Sequence, residues 1–158
     1  MLYRIGVPKV ENHAKKAREL FEQGYNCAQS VFAAFCDETN MDFETAIKLA
    51  APFGGGIGRL REVCGAVSGM TMVLGMKYGY TSPTDTQTKM EHYQLTQNLA
   101  NEFKKENGSF ICRELLNLDG AGNPLPEERT PQYYQSRPCA DLVESAARIM
   151  ETYIQSRK

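Results

Sequence analysis

The sequence has no tryptophan, only two histidines, and almost no net charge, with 18 basic side chains against 19 acidic ones. Each scarcity excludes something. A balanced charge argues against nucleic acid as a partner, because such binders carry a basic excess gathered on one face. No apolar run approaches the roughly 18 residues that a membrane-crossing helix needs, so membrane insertion is not expected. The first eight residues, Met1 to Pro8, hold no apolar core of the kind an export signal carries. The cytoplasm is therefore the expected compartment, where a set of purely structural disulfides would be unusual. No serine–histidine–acid arrangement and no phosphate-binding Walker loop is legible. Internal repeats and low-complexity tracts are missing as well. At 158 residues, 1–158 reads as one domain, long enough to bury a sizeable core without a metal or disulfide to hold it.

What is present is helical patterning. Val10, Ala14, Ala17, Phe21 and Gly24 recur at four- and three-residue steps and predict a first helix over residues 8–24. Asn26 reads as the cap of a second helix, placing Cys27 at its first position with Ala28, Val31, Phe32 and Phe35 as its buried stripe. Asp42 caps a short third helix through Ile47 and Leu49 that stops before Pro52. Residues 62–77 carry apolar side chains around nearly the whole wheel, the mark of a buried central helix. Gly65 and Gly69 lie on one side of it, where another helix could come close. A long helix is expected from Thr84 or Asp85 to about Glu106, with His92, Leu95, Leu99 and Phe103 facing inward. A short one follows after Ser109. Residues 117–137, with Pro124, Pro126, Pro131, Gly120 and Gly122, read as an ordered loop. Pro138 opens the last helix, with Ser136 or Arg137 as cap and Cys139 in its first turn. The expectation is an all-α, single-domain helical bundle with a buried central helix and a glycine-rich loop.

That loop contains Gly54, Gly55, Gly56 and Gly58, four glycines in five positions. Such a run is entropically costly and suits backbone that approaches another group closely or directs its amides at an anion. A tight turn between packed helices is the plainer alternative. Arg59 and Arg61 follow it; they could neutralise thiolates, meet an acidic partner, or simply be solvated. His13 and His92 read as ordinary core or boundary residues.

The five cysteines stand out: Cys27, Cys36, Cys64, Cys112 and Cys139. None forms a CxxC pair, so neither a thioredoxin-like dithiol nor a zinc ribbon is signalled. Four share a setting, since Cys27, Cys64, Cys112 and Cys139 all fall at or near helix starts. There the helix dipole and free amides favour a thiolate and should lower its pKa. Cys36 sits at no helix start and, nine residues along the same helix as Cys27, points nearly the opposite way. A free cysteine is also a common small core residue, and a helical interaction protein with inert cysteines is the competing reading.

The sequence resembles a redox-active protein family named for four cysteines, C_GCAxxG_C_C, the second cysteine standing in a CGAxxG motif. Here that motif is Cys64-Gly65-Ala66-Val67-Ser68-Gly69. The first family cysteine corresponds to Cys27, the third to Cys112 and the fourth to Cys139, and the resemblance runs over roughly residues 12 to 150. It implies a redox or metal-associated role, alongside oxidoreductases or transporters, with Cys36 outside the set. Joined to the residue reading, the expectation is a redox-active or electron-transfer accessory protein. Its four cysteines would converge beside the glycine loop, Gly54, Gly55, Gly56, Gly58 and Gly65 giving close backbone approach. They would act as an iron–sulfur or other metal site, zinc being the poorer candidate. Metal-free dithiol exchange with a redox partner protein is the alternative. A homodimer through Gly65 and Gly69, or through an exposed methionine face, is also conceivable.

Overall fold

The computed structural model describes residues 12–158. Among these the chain is all-α, and the only extended pairing is an isolated antiparallel bridge between Val63 and Ile111. In chain order the helices are α1 (His13–Glu22), α2 (Cys27–Ala34), α3 (Cys36–Thr39), α4 (Phe43–Ala50) and a one-turn α5 (Gly54–Ile57) after a 3₁₀ turn. They continue as α6 (Gly65–Tyr78), α7 (Thr86–Asn107), α8 (Cys112–Leu115), α9 (Pro131–Ser136) and α10 (Cys139–Ser156). The expected beginning of the first helix, at Pro8 and Val10, lies outside the described residues.

Helix α2 is the most enclosed element, packed by α1, α4, α6 and α10. Its sequence explains why so many neighbours reach it. Ala28, Ala33 and Ala34 have small side chains, and the one polar group at its centre, Ser30 Oγ, is satisfied by Asn26 O at 2.8 Å. Asn26 Oδ1 accepts from Gln29 N–H at 2.9 Å while Gln29 Oε1 accepts from Asn26 N–H at 3.0 Å, a reciprocal cap that fixes where α2 begins.

Helix α6 crosses α2 through its glycines. A Cβ on Gly69 would lie 2.7 Å from Ala28 O and 3.0 Å from Val31 Cβ. The small face expected to receive another helix is thus filled within the chain by α2, and the homodimer contact expected through Gly65 and Gly69 is not open. The all-round apolar wheel placed residues 62–77 in the centre; the last turn of α6 instead reaches the surface, where Met76 is 50% exposed. Helix α10 closes the core with Leu142, Val143, Ala146, Ile149 and Met150 and runs along α1. His13 is held there between Glu151, 3.0 Å from Nδ1, and Asp37, 2.9 Å from Nε2.

Four further expectations need correcting. The helix of Cys27 does not continue to Cys36: it breaks at Phe35 (φ −106°, ψ 20°), and Cys36 opens α3, so it does sit at a helix start. Part of the expected 117–137 loop is helical, because Thr130 Oγ1 accepts from Tyr133 N–H and Pro131 stands in the first turn of α9. Ser136 therefore ends α9, and neither it nor Arg137 caps α10; Pro138 holds the cap position without a side-chain bond. Helix α7 starts at its Asp85 cap as expected, but only Leu99 and Phe103 of its inner side are buried. At 22 residues it spans about 33 Å, and both buried residues lie in its second half.

Candidate functional site: a four-cysteine cavity

Each of the four cysteines stands at the start of a different helix. Cys27, Cys112 and Cys139 are the first residues of α2, α8 and α10, and Cys64 is the residue before α6. Two features of the chain bring these helix starts together.

The first is the glycine loop. Gly55 and Gly56 take left-handed backbone (φ 67° for each), as do Ile57, Gly58 and Arg59, so the chain reverses in one tight turn. Closeness, as well as dihedral angle, requires the glycines. A Cβ on Gly54 would overlap the Asn26 side chain, and one on Gly56 would lie 2.7 Å from Cys112 Cβ and 2.7 Å from Glu62 N. Gly65 likewise lets α6 start 3.1 Å, by its would-be Cβ, from Cys27 Cβ.

The second is the bridge between Val63 and Ile111. Cys64 N–H donates to Phe110 O at 2.8 Å, Cys112 N–H to Glu62 O at 2.6 Å, and Arg113 N–H to Arg61 O at 3.1 Å. These three bonds fasten the approach to α6 against the approach to α8 and set Cys64 beside Cys112. Glu62 lies outside α6 and pairs with Arg113 at 3.0 Å, not with the helix start.

The result is a cavity of about 380 Å³. Cys27, Cys64, Cys112 and Cys139 all line it, together with Gly54, Gly55, Gly56, Gly58 and Gly65. Cys36 does not; it opens α3, partly buried against the core near Lys16, Asp37 and Asp42. All five cysteines are free thiols. His13 and His92 are absent from the lining too.

The walls are basic. Arg59 and Arg61 come from the loop, Arg129 and Arg137 from the segment around α9, and Glu127 is the one carboxylate among them. Glu127 is shared by Arg137 and Arg59. Arg129 is fixed by Phe21 O at 3.0 Å and Tyr25 O at 3.1 Å, with its guanidinium 4.3 Å from the Phe21 ring. Arg61 is 6% exposed, and its Nη1 faces the Cys112 sulfur at 3.7 Å. The sequence alone marks neither Arg129 nor Tyr133 as a site residue and offers Arg137 only as a helix cap, because 117–137 reads as loop; the Thr130–Pro131 pair is the available signal.

Helix starts do not lower all four thiols, as the dipole argument expected. Burial dominates at Cys64 and pushes it up to about 12, against the opposing pull of the Ala66 and Val67 amides. Cys112 is raised by burial although Arg61 draws it down. Cys27 is raised because its S–H is engaged by Cys139 and because it is buried. Cys139 alone is lowered, by that Cys27 hydrogen bond first and by Arg137, Arg129 and Arg61 around it. The cavity thus holds one thiol biased toward thiolate and three biased toward the protonated form.

Compared with known families, residues 25–153 match the model described as "Putative redox-active protein (C_GCAxxG_C_C)". The chain belongs to this family. The matched span contains all four lining cysteines and the glycine loop. A relative from Archaeoglobus fulgidus, described as an uncharacterized protein, is 26% identical over 160 residues, covering 95% of this chain and 98% of its own. No solved structure matches. Among the described residues no helix is long and apolar enough to cross a membrane.

Proposed function

We propose that this member of the C_GCAxxG_C_C family is an electron-transfer accessory protein whose four cysteines form one iron–sulfur centre. The observation that carries the reading is the convergence of Cys27, Cys64, Cys112 and Cys139, from four separate helix starts, on one cavity with basic walls. The donor set fits the group: iron–sulfur clusters are held by four thiolates, and their net negative charge suits surrounding arginines. A single zinc ion fits less well. With bonds of about 2.3 Å it would draw four sulfurs to roughly 3.8 Å from one another, whereas no three of these sulfurs lie within 4.8 Å of one another.

Bound there, a cluster would supply one-electron chemistry. The protein's own residues do the rest. Arg61 and Arg137 offset thiolate charge beside Cys112 and Cys139. The Ala66 and Val67 amides face the Cys64 sulfur. Leu115, Leu116 and Leu142 form apolar wall that limits water. Since three of the thiols are held protonated, loading the site releases protons and is favoured by rising pH.

A second reading rests on the hydrogen-bonded pair Cys27 and Cys139. The Cys139 thiolate would attack a partner protein's disulfide and expel one thiolate. Cys27, giving up its proton, would then attack the mixed disulfide at Cys139. The partner departs as a dithiol and a Cys27–Cys139 disulfide remains, two electrons having passed to the partner.

Purification without oxygen, followed by a visible spectrum and assays of iron, zinc, acid-labile sulfide and free thiols, tests both. Stoichiometric iron and sulfide, lost in Cys64→Ser, are expected. Metal-free protein whose Cys27 and Cys139 oxidise reversibly would replace the first reading by the second, and five inert thiols without metal would defeat both.

A further inference from the structure

Arg61 is placed oddly for a loop arginine. It is 6% exposed, and no carboxylate pairs with it among the described residues. Its Nε is buried without a hydrogen-bond partner, and its one side-chain hydrogen bond among the described residues goes to the weak acceptor Cys112 Sγ at 3.7 Å. Its backbone is left-handed (φ 62°), a conformation few non-glycine residues adopt, so the loop is bent at some cost to carry the side chain inward. A buried charge without a counter-ion is strongly unfavourable, and arginine cannot shed its proton to escape.

The neighbouring side chains supply only part of the missing charge, since Cys139, the one thiol biased toward thiolate, is shared with Arg137 and Arg129. Glu127 is engaged by Arg137 and Arg59, and Arg129 is a second cation. A cavity with four arginines and one engaged carboxylate in its lining has space of the order taken by small-molecule sites. The planar guanidinium fork matches two oxygens of one anion.

We propose that the cysteine cavity binds a small oxyanion, a carboxylate or phosphate-like group, on Arg61. The site goes beyond the redox reading and does not need it, because it stands on the arginine and not on what the thiols hold. It makes the cavity a place where an anionic small molecule is brought beside the four sulfurs.

Calorimetric titration of the protein as isolated with inorganic phosphate and, separately, with acetate tests this, in a chloride buffer at fixed ionic strength. Saturable binding of at least one is expected, phosphate alone marking a tetrahedral ligand and acetate a carboxylate. Arg61→Gln should weaken it at least tenfold, and Arg148→Gln, on the outer side of α10, should leave it unchanged. Should Arg61→Gln fail to fold, amide shift mapping of the wild type locates the site: changes centred on residues 54–62 and Cys112 are expected on adding phosphate or acetate. No binding of either anion, unweakened binding by folded Arg61→Gln, or shifts confined elsewhere would overturn the proposal. Iron and sulfide measured on the same samples report separately on the redox reading, which can fail while the anion site stands, or the reverse.

Discussion

The crossing of α2 and α6 can be probed by two alanine substitutions on one helix with opposite expected signs. Gly69 and Gly75 both lie inside α6, so alanine gains about 0.5–1 kcal/mol of helix preference at either position. At Gly75 nothing stands within 4 Å of the new Cβ, and the gain is kept. At Gly69 the Cβ would lie 2.7 Å from Ala28 O and 3.0 Å from Val31 Cβ. Those atoms belong to α2, whose residues Ala28, Val31 and Phe32 are fully enclosed by other helices and have little room to retreat. Overpacking of this kind costs roughly 1–3 kcal/mol, leaving Gly69→Ala destabilised by up to about 2.5 kcal/mol after the helix gain. For a domain of this size that lowers the melting temperature by up to about 10 °C, while Gly75→Ala raises it by about 1–4 °C. Thermal unfolding followed by circular dichroism on reduced, metal-free protein is the assay, since a bound group would add its own stabilisation. A Gly69→Ala protein melting at or above wild type would refute the packing argument.

Two further expectations concern the thiols. Cys36→Ser should leave metal and sulfide content unchanged, with a stability loss of about 1 kcal/mol, because Cys36 lies outside the cavity; loss of the centre comparable to Cys64→Ser would show that the five cysteines do not divide as described. In the metal-free reduced protein, iodoacetamide labelling read by mass spectrometry should reach Cys139 at a lower pH than Cys64, which is pushed up to about 12. Removing the Cys27 hydrogen bond by Cys27→Ala should shift the Cys139 profile to higher pH, and an unmoved profile would assign its activation to the arginines alone. The linked stability has a definite sign. A thiol whose folded pKa is depressed contributes stability above its unfolded value and loses it as pH falls through the folded one, so the Cys139 contribution belongs to the alkaline side.

Much of the architecture was legible because helices are local objects. Asn26, Asp42 and Asp85 each mark a boundary by their own side chain, and each marks it in the structure. The misreadings occurred where local preference was silent or misleading. No glycine or proline stands in the run around Phe35 to mark the break there. The prolines of 117–137 pointed to loop, and obscured that Pro131 after Thr130 starts a helix as well as ending what precedes it.

What the sequence by itself determined is that Cys27, Cys64, Cys112 and Cys139 stand at or beside helix starts, while it missed that Cys36 opens a helix too. The glycine spacing also announced close backbone approach. Only the tertiary structure decided what approaches what. Gly56 makes room for Cys112, a residue more than fifty positions away, and a bridge of a single residue pair at Val63 and Ile111 fastens two helix starts that share no local signal. The protonation of the thiols was decided there too. A helix start favours the thiolate in every case, but burial at Cys64 and the arginines around Cys139 pull in opposite directions, and both are properties of the assembled cavity. Capping and periodicity act over one or two turns of chain, whereas desolvation and charge act through space, between residues that only folding makes neighbours.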